Sequence, residues 1–131
     1  TFVWDSTAKV TEALADKTGR LVIVCASNSW CPPAYHTAQA IAKLREDPAL
    51  DFAKILIIDQ MVETEFCKAN GIHVAPSVLF FWNGVQMSVR RPDWEDDNKF
   101  VGAVSSENWL VLFQAAKACG EGQQEFVSVN L

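Results

Sequence analysis

The chain has 131 residues and a formal net charge of −5, with 50% of it hydrophobic and 21% charged. This composition excludes disordered, collagen-like and coiled-coil chains, and the length suits one domain, residues 1–131, around one core. The longest apolar run, Leu21–Ala26, is far short of the roughly 18–20 residues of a membrane span, and so acidic a chain lacks the clustered Lys and Arg of a strong direct grip on nucleic acid.

Asp5, Ser6 and Thr7 are cap-type residues, Val10, Ala13 and Leu14 follow at helical spacing, and Gly19 is a stop. A first helix is therefore predicted over 6–18. Leu21 to Cys25 is a short β-branched run and reads as a buried strand. A polar, proline-bearing turn over 27–33 leads to a helix from Ala34 to Arg45, with Ala38, Ile41, Ala42 and Leu44 on its apolar side. Phe52 to Asp59 reads as a second buried strand, and Glu63 to Ala69 as a short helix closed by Asn70-Gly71. Ser77 to Trp82 is a third strand, and Asn83-Gly84 is a strong hairpin signal into a fourth strand, Val85 to Val89.

Arg90 to Asn98 is a charged loop, and Phe100 to Val104 a further extended piece. Ser105, Ser106 and Glu107 cap a last helix over 106–119, with Trp109, Leu112, Phe113 and Ala116 on one face. Val127, Val129 and Leu131 alternate with polar residues as in a short terminal strand. The order αβαβαββα gives an α/β fold. Helices between β-branched strands imply parallel pairing, with the Asn83-Gly84 hairpin adding an antiparallel edge.

The four cysteines, Cys25, Cys31, Cys67 and Cys119, form no CxxC pair. With His36 and His73 they complete no metal-ligand spacing, so no metal site is expected. A chain of this size folds without disulfide staples, so reduced thiols in an intracellular compartment are expected. Cys25 and Cys119 read as buried hydrophobes. The chain opens without an initiator Met or a basic, apolar leader, so a trimmed start and no signal peptide are expected.

Two short motifs carry the fold. Trp30-Cys31-Pro32-Pro33 stands between a buried strand and a helix, and resembles the Trp-Cys-Gly-Pro-Cys site of thioredoxin. Val74-Ala75-Pro76-Ser77 resembles thioredoxin's Ile-Pro-Thr, and a strand and Asn83-Gly84 follow it as they do there. The resemblance implies a thioredoxin-like fold, with a central mixed four-stranded sheet flanked by helices and a C-terminal extension. It also implies that Pro76 is cis and faces Cys31.

The charged insertion, the segment Asn98-Lys99-Phe100-Val101-Gly102 and the tail 120–131 go beyond thioredoxin. In these the chain is similar to the Dim (defective entry into mitosis) family of thioredoxin-like proteins. That resemblance implies a nuclear, non-catalytic protein-interaction role in pre-mRNA splicing, with spliceosomal proteins of the U5 snRNP or tri-snRNP as partners. The implied surface uses the insertion 90–99, the tail and the old active-site edge, with Trp94, Arg90, Arg91 and Phe126 as contact residues. The family keeps a Cys at the second position of the site and lacks the first, whereas this chain has the first alone.

Dithiol exchange needs one thiolate to attack and a second to resolve the mixed disulfide. Ala34 occupies the resolving position, and Cys25 stands where thioredoxin buries an Asp. A helix start favours an anion at Cys31, yet Pro32 and Pro33 remove two of its N–H donors. Cys31 therefore reads first as a partly buried remnant and second as the thiol of a monothiol oxidoreductase, with glutathione resolving. Pro-Pro-Ala after Cys31 is unlike the Gly-Phe-Ser of single-Cys iron–sulfur proteins, so no cofactor is expected. Trp30 and Pro33 read as structural, with Trp30 covering the first helical turn. Pro76 reads as fixing the entry to its strand, His36 as half exposed in the second helix, and His73 as a solvated turn residue. Trp4 and Trp94 lie in segments with little apolar company, as contact residues do, although each could fold back onto the core.

Overall fold

The computed structural model describes residues 2–91 and 98–128. Helix α1 spans Thr7–Leu14, started by Ser6, whose side chain accepts from the Lys9 N–H. It stops well before the predicted residue 18. The Asp16 carboxylate accepts from the Thr18 N–H and hydroxyl at 3.1 and 2.6 Å, a local turn that competes with the helix. Strand β1 (Leu21–Ser27) follows, then α2 (Pro32–Leu44), and a 3-10 turn leads into β2 (Ala53–Asp59). Next come α3 (Thr64–Ala69), β3 (Ser77–Trp82), β4 (Val85–Gln86), β5 (Val89–Arg90) and β6 (Phe100–Val101). Helix α4 (Ser106–Gly120) and β7 (Val127–Ser128) close the described chain. Among the described residues no helix is long and apolar enough to cross a membrane.

The main sheet has the order β2-β1-β3-β4, and β6 pairs with β3 on the same edge as β4. β1 and β2 are parallel, with Leu21 opposite Ala53 and Ser27 opposite Asp59. β3 is antiparallel to β1, with Ala26 opposite Ser77, which corrects the parallel pairing expected from alternating helices and strands. The six residues of α3 rise only about 9 Å, against about 23 Å along β2. The chain thus re-enters the sheet from the end at which it left.

The predicted fourth strand is split. β4 pairs with β3, while β5 leaves the sheet to pair, in parallel, with β7. The fold therefore gathers both ends of the charged insertion and the C-terminal tail beside one another.

β1 is buried along its whole length because helices cover both its faces. Leu21, Ile23 and Cys25 meet Ala38 and Ile41 of α2 and Trp109, Leu112 and Phe113 of α4. Val22, Val24 and Ala26 meet Val10 of α1 and Cys67 of α3. Each large apolar side chain so buried contributes about 1.5–3 kcal/mol. Trp4 folds back onto the first cluster, its ring edge-to-face with Phe2 at 4.9 Å.

Asn83 and Gly84 both have positive φ, 53° and 80°, as a tight hairpin turn demands. A Cβ on Gly84 would stand 2.5 Å from the Leu14 carbonyl oxygen. Gly84→Ala is expected to cost about 2–3 kcal/mol, from left-handed strain plus the clash with backbone. Urea denaturation of the two chains measures it, and an unchanged midpoint would contradict the close packing of the hairpin on α1.

Candidate functional site at the C-terminal end of strands β1 and β2

Because β1 and β2 are parallel and β3 runs against them, one end of the sheet collects three loops. These are the loop from β1 into α2, the loop from β2 into α3, and the segment entering β3. Hydrogen bonds tie the first two together. The Gln60 N–H donates to the Ser27 carbonyl at 2.8 Å, and the Asn28 amide donates to Gln60 Oε1 at 3.0 Å. Asn28 Oδ1 accepts from the Cys31 N–H at 2.9 Å.

Cys31 is the residue that starts α2, with extended backbone and no side-chain cap bond. Pro32 and Pro33 fill the first two helical positions, where a missing N–H costs little and a fixed φ helps. Of the first three helical residues only Ala34 therefore has an N–H to offer the sulfur. The Cys31 side chain is half-buried and its thiol is free. Ala34, where a second sulfur would sit, is fully buried, and its carbonyl accepts from the buried Ser27 hydroxyl at 2.6 Å.

The other three thiols, all free, belong to other parts of the fold. Cys25 lies in mid-sheet, between Ile57 and Val78. Burial pushes its thiol up to about 12. Cys67 is held up by burial, then by Glu63 and Asp59, and Cys119 by burial. An unfolded Cys loses its proton near 9, well before the folded Cys25 does. The unfolded chain thus binds fewer protons across that window, and stability should fall as pH rises from 9 to 12. Cys25→Ala should flatten that decline in urea titrations at successive pH values. An equally steep decline would mean that Cys25 is not its source.

The Ala75–Pro76 bond is cis, and Pro76 is buried at the start of β3. Its carbonyl accepts from the Gly102 N–H at 3.0 Å, and the Ser77 hydroxyl donates to the Val74 carbonyl. Register places this segment at the same end as the Cys31 loop. Trp30 is 69% exposed, so it does not cover the first helical turn as expected, because the polar loop carries it away from the core. Met61, Val62 and Val74 are exposed too, and all belong to the loops of this end. The sequence reading missed these three, since an apolar residue beside a strand is by default assigned to the core.

The expected contact residues divide. Arg90 is exposed and stacks on Phe126, its guanidinium 4.9 Å from the ring centroid. Arg91 lies over Phe100 at 5.0 Å and donates to the Val101 carbonyl. These contacts tie Arg90 and Arg91, at the start of the insertion, to the tail and to β6. Trp94 lies outside the described residues. Among the described residues no group of three or more His, Cys, Asp or Glu is placed to hold a metal ion.

Solved thioredoxins share this fold. The thioredoxin of Malassezia sympodialis is 18% identical, with a TM-score of 0.67 over 86% of this chain and 89% of its own. That of Fasciola hepatica is 17% identical, with a TM-score of 0.66 over 87% and 98%. The Trxlp protein of Edwardsiella tarda is 16% identical, with a TM-score of 0.66 over 84% and 95%.

The chain has the thioredoxin fold.

No protein-family profile and no curated protein sequence matches it. In this chain a cysteine starts α2, a cis proline precedes β3, and Ala34, three residues after the cysteine, is fully buried.

Proposed function

We propose that this thioredoxin-fold chain is a non-catalytic protein-interaction module of the Dim type, acting in the nucleus in pre-mRNA splicing on proteins of the U5 snRNP or tri-snRNP. The observation that carries the non-catalytic part is Ala34, fully buried where exchange needs a second thiol. The exposed apolar residues Trp30, Met61, Val62 and Val74 around the same loops support a surface that holds a protein. The splicing assignment rests on the resemblance of the Asn98–Gly102 segment, with Ala75–Phe81, to the Dim family. The acidic charge suits contact with proteins more than with RNA.

A free, half-buried Cys31 at a helix start favours one rival, a monothiol oxidoreductase resolved by glutathione. Two experiments separate them. The purified chain, with glutathione, is expected to show no Cys31-dependent reduction of insulin, judged against Cys31→Ser; sustained turnover lost in that variant establishes the rival. Affinity purification from nuclear extract is expected to return splicing proteins, and Trp30→Ala or Trp94→Ala to lose them. Recovery of none with the wild-type chain would end the splicing assignment.

A further inference from the structure

The sequence holds two Asn-Gly pairs, Asn70-Gly71 and Asn83-Gly84. Asparagine is among the chemically labile residues, and a following glycine leaves its side-chain amide open to attack, because no Cβ shields the next peptide nitrogen. In the unfolded chain the two pairs are chemically alike. The fold sets them apart.

Asn83 is clamped by distant parts of the chain. Its Oδ1 accepts from the Gly19 N–H and, at 3.2 Å, from the Arg20 N–H, and its own N–H donates to the Arg20 carbonyl at 3.3 Å. β3 and β4 pair on either side of the turn, and Gly84 stands against the Leu14 carbonyl. Asn70 is held by its own helix. It is the C-cap of the six-residue α3, and its Nδ2 donates to the Phe66 carbonyl at 2.8 Å. The Gly71 N–H donates to the Lys68 carbonyl at 3.3 Å, and the Ile72 N–H to the Cys67 carbonyl at 2.8 Å. At the Asn70 ψ of 11° the Gly71 nitrogen is nearly eclipsed with the Asn70 nitrogen, and so is turned from the side chain. Attack therefore waits on opening of the helix end. The local bonds of so short a helix open more readily than the long-range bonds of a sheet.

We propose that Asn70 is a deamidation site, exposed by fraying of α3, and that its conversion loosens the segment leading to the cis proline. Hydroxide takes the Gly71 amide proton, the Gly71 nitrogen bonds to Asn70 Cγ, and the Cγ–Nδ2 bond breaks with release of ammonia. Water then opens the succinimide at either of its carbonyls. One opening leaves aspartate, the other isoaspartate with an extra methylene in the backbone. Nothing is oxidised or reduced. The Lys99 ammonium, 3.8 Å from where a Cβ on Gly71 would stand, favours loss of the Gly71 proton.

The same conversion has opposite consequences at the two pairs. Among the described residues the Asn83 side chain bonds through Oδ1 alone, and an aspartate offers the same acceptor. Asn70 bonds through Nδ2, and a carboxylate has no proton for the Phe66 carbonyl. It also brings negative charge to the carbonyl end of a helix, which Lys68 in the last turn and Lys99 offset only in part. Beyond Gly71 the chain passes through buried Ile72 and exposed Val74 to Pro76, so this helix end anchors one side of the apolar rim.

The full chain is incubated at mildly alkaline pH, folded and in urea, and peptide mapping by mass spectrometry locates the lost amide. The folded chain is expected to deamidate at Asn70 at least about tenfold faster than at Asn83, and the two sites to react at similar rates in urea. Asn70→Asp should lower the urea midpoint and speed amide exchange at Ile72, whereas Asn83→Asp should leave both unchanged. If Asn70→Asp fails to fold, the map of the folded wild-type chain decides. Equal rates at the two sites of the folded chain, or faster loss at Asn83, would overturn the site. An Asn70→Asp chain with the wild-type midpoint and wild-type Ile72 exchange would overturn its consequence.

Discussion

Ala34→Cys is expected to give a chain that turns over disulfides at least about tenfold faster than the wild type in an insulin-reduction assay with a chemical reductant. The new thiol would stand three residues after Cys31 on the first turn of α2, so attack on a mixed disulfide at Cys31 becomes intramolecular. Well-placed intramolecular groups gain effective molarities far above any free thiol concentration. The site has little room, because Ala34 is fully buried and the Ser27 hydroxyl holds its carbonyl. An added sulfur should therefore cost about 1–3 kcal/mol of stability, which a denaturation curve on the same sample measures. Adding Cys31→Ser to the variant should abolish the gain. A wild type that already matches Ala34→Cys would mean that another group resolves Cys31, and the non-catalytic reading would fall.

Trp109→Ala is expected to cost about 3–5 kcal/mol, as for other buried aromatic truncations. The indole is fully buried in α4 and packs edge-to-face with Phe100 at 5.4 Å and beside Phe113 at 5.9 Å. Its Nε1 is buried with no hydrogen-bond partner among the described residues. A buried unpaired donor costs about 1–3 kcal/mol, and Trp109→Phe removes that donor while keeping most of the ring contact. The phenylalanine variant should thus lose far less than the alanine variant, about 1 kcal/mol or under. Chemical denaturation of all three chains decides it. Equal losses from the two substitutions would show that the indole N–H contributes favourably.

The strands of the main sheet were legible because β-branched runs between turn residues leave few other readings, and Ser77–Trp82 matches its expected limits. Three features were not legible, each for a physical reason. Helix α1 ends early because a local bond between Asp16 and Thr18 competes with helix propagation. β3 runs antiparallel because α3 is too short to carry the chain back along β2. The predicted fourth strand breaks because β5 pairs with Val127 and Ser128, from the far end of the chain.

At the site, Cys31, Ala34 and Pro76 were singled out through the resemblance of their motifs to those of thioredoxin, which carries over in order along the chain. The apolar rim was not, because exposure is a property of packing. Trp4 was left open between a contact residue and a fold-back onto the core, and packs on the core, while Trp30 was expected to cover a helix and is largely exposed. Composition around a tryptophan does not say which way the backbone will carry it.

The pairing of β5 with β7 makes trimming a poor way to study this chain. Val127 is fully buried in the same cluster as Trp109 and Val89. A chain cut after Gly120 would lose a keystone as well as a candidate recognition segment, and its silence in a pull-down would report collapse of the scaffold. Surface substitutions in the intact chain keep the two questions apart.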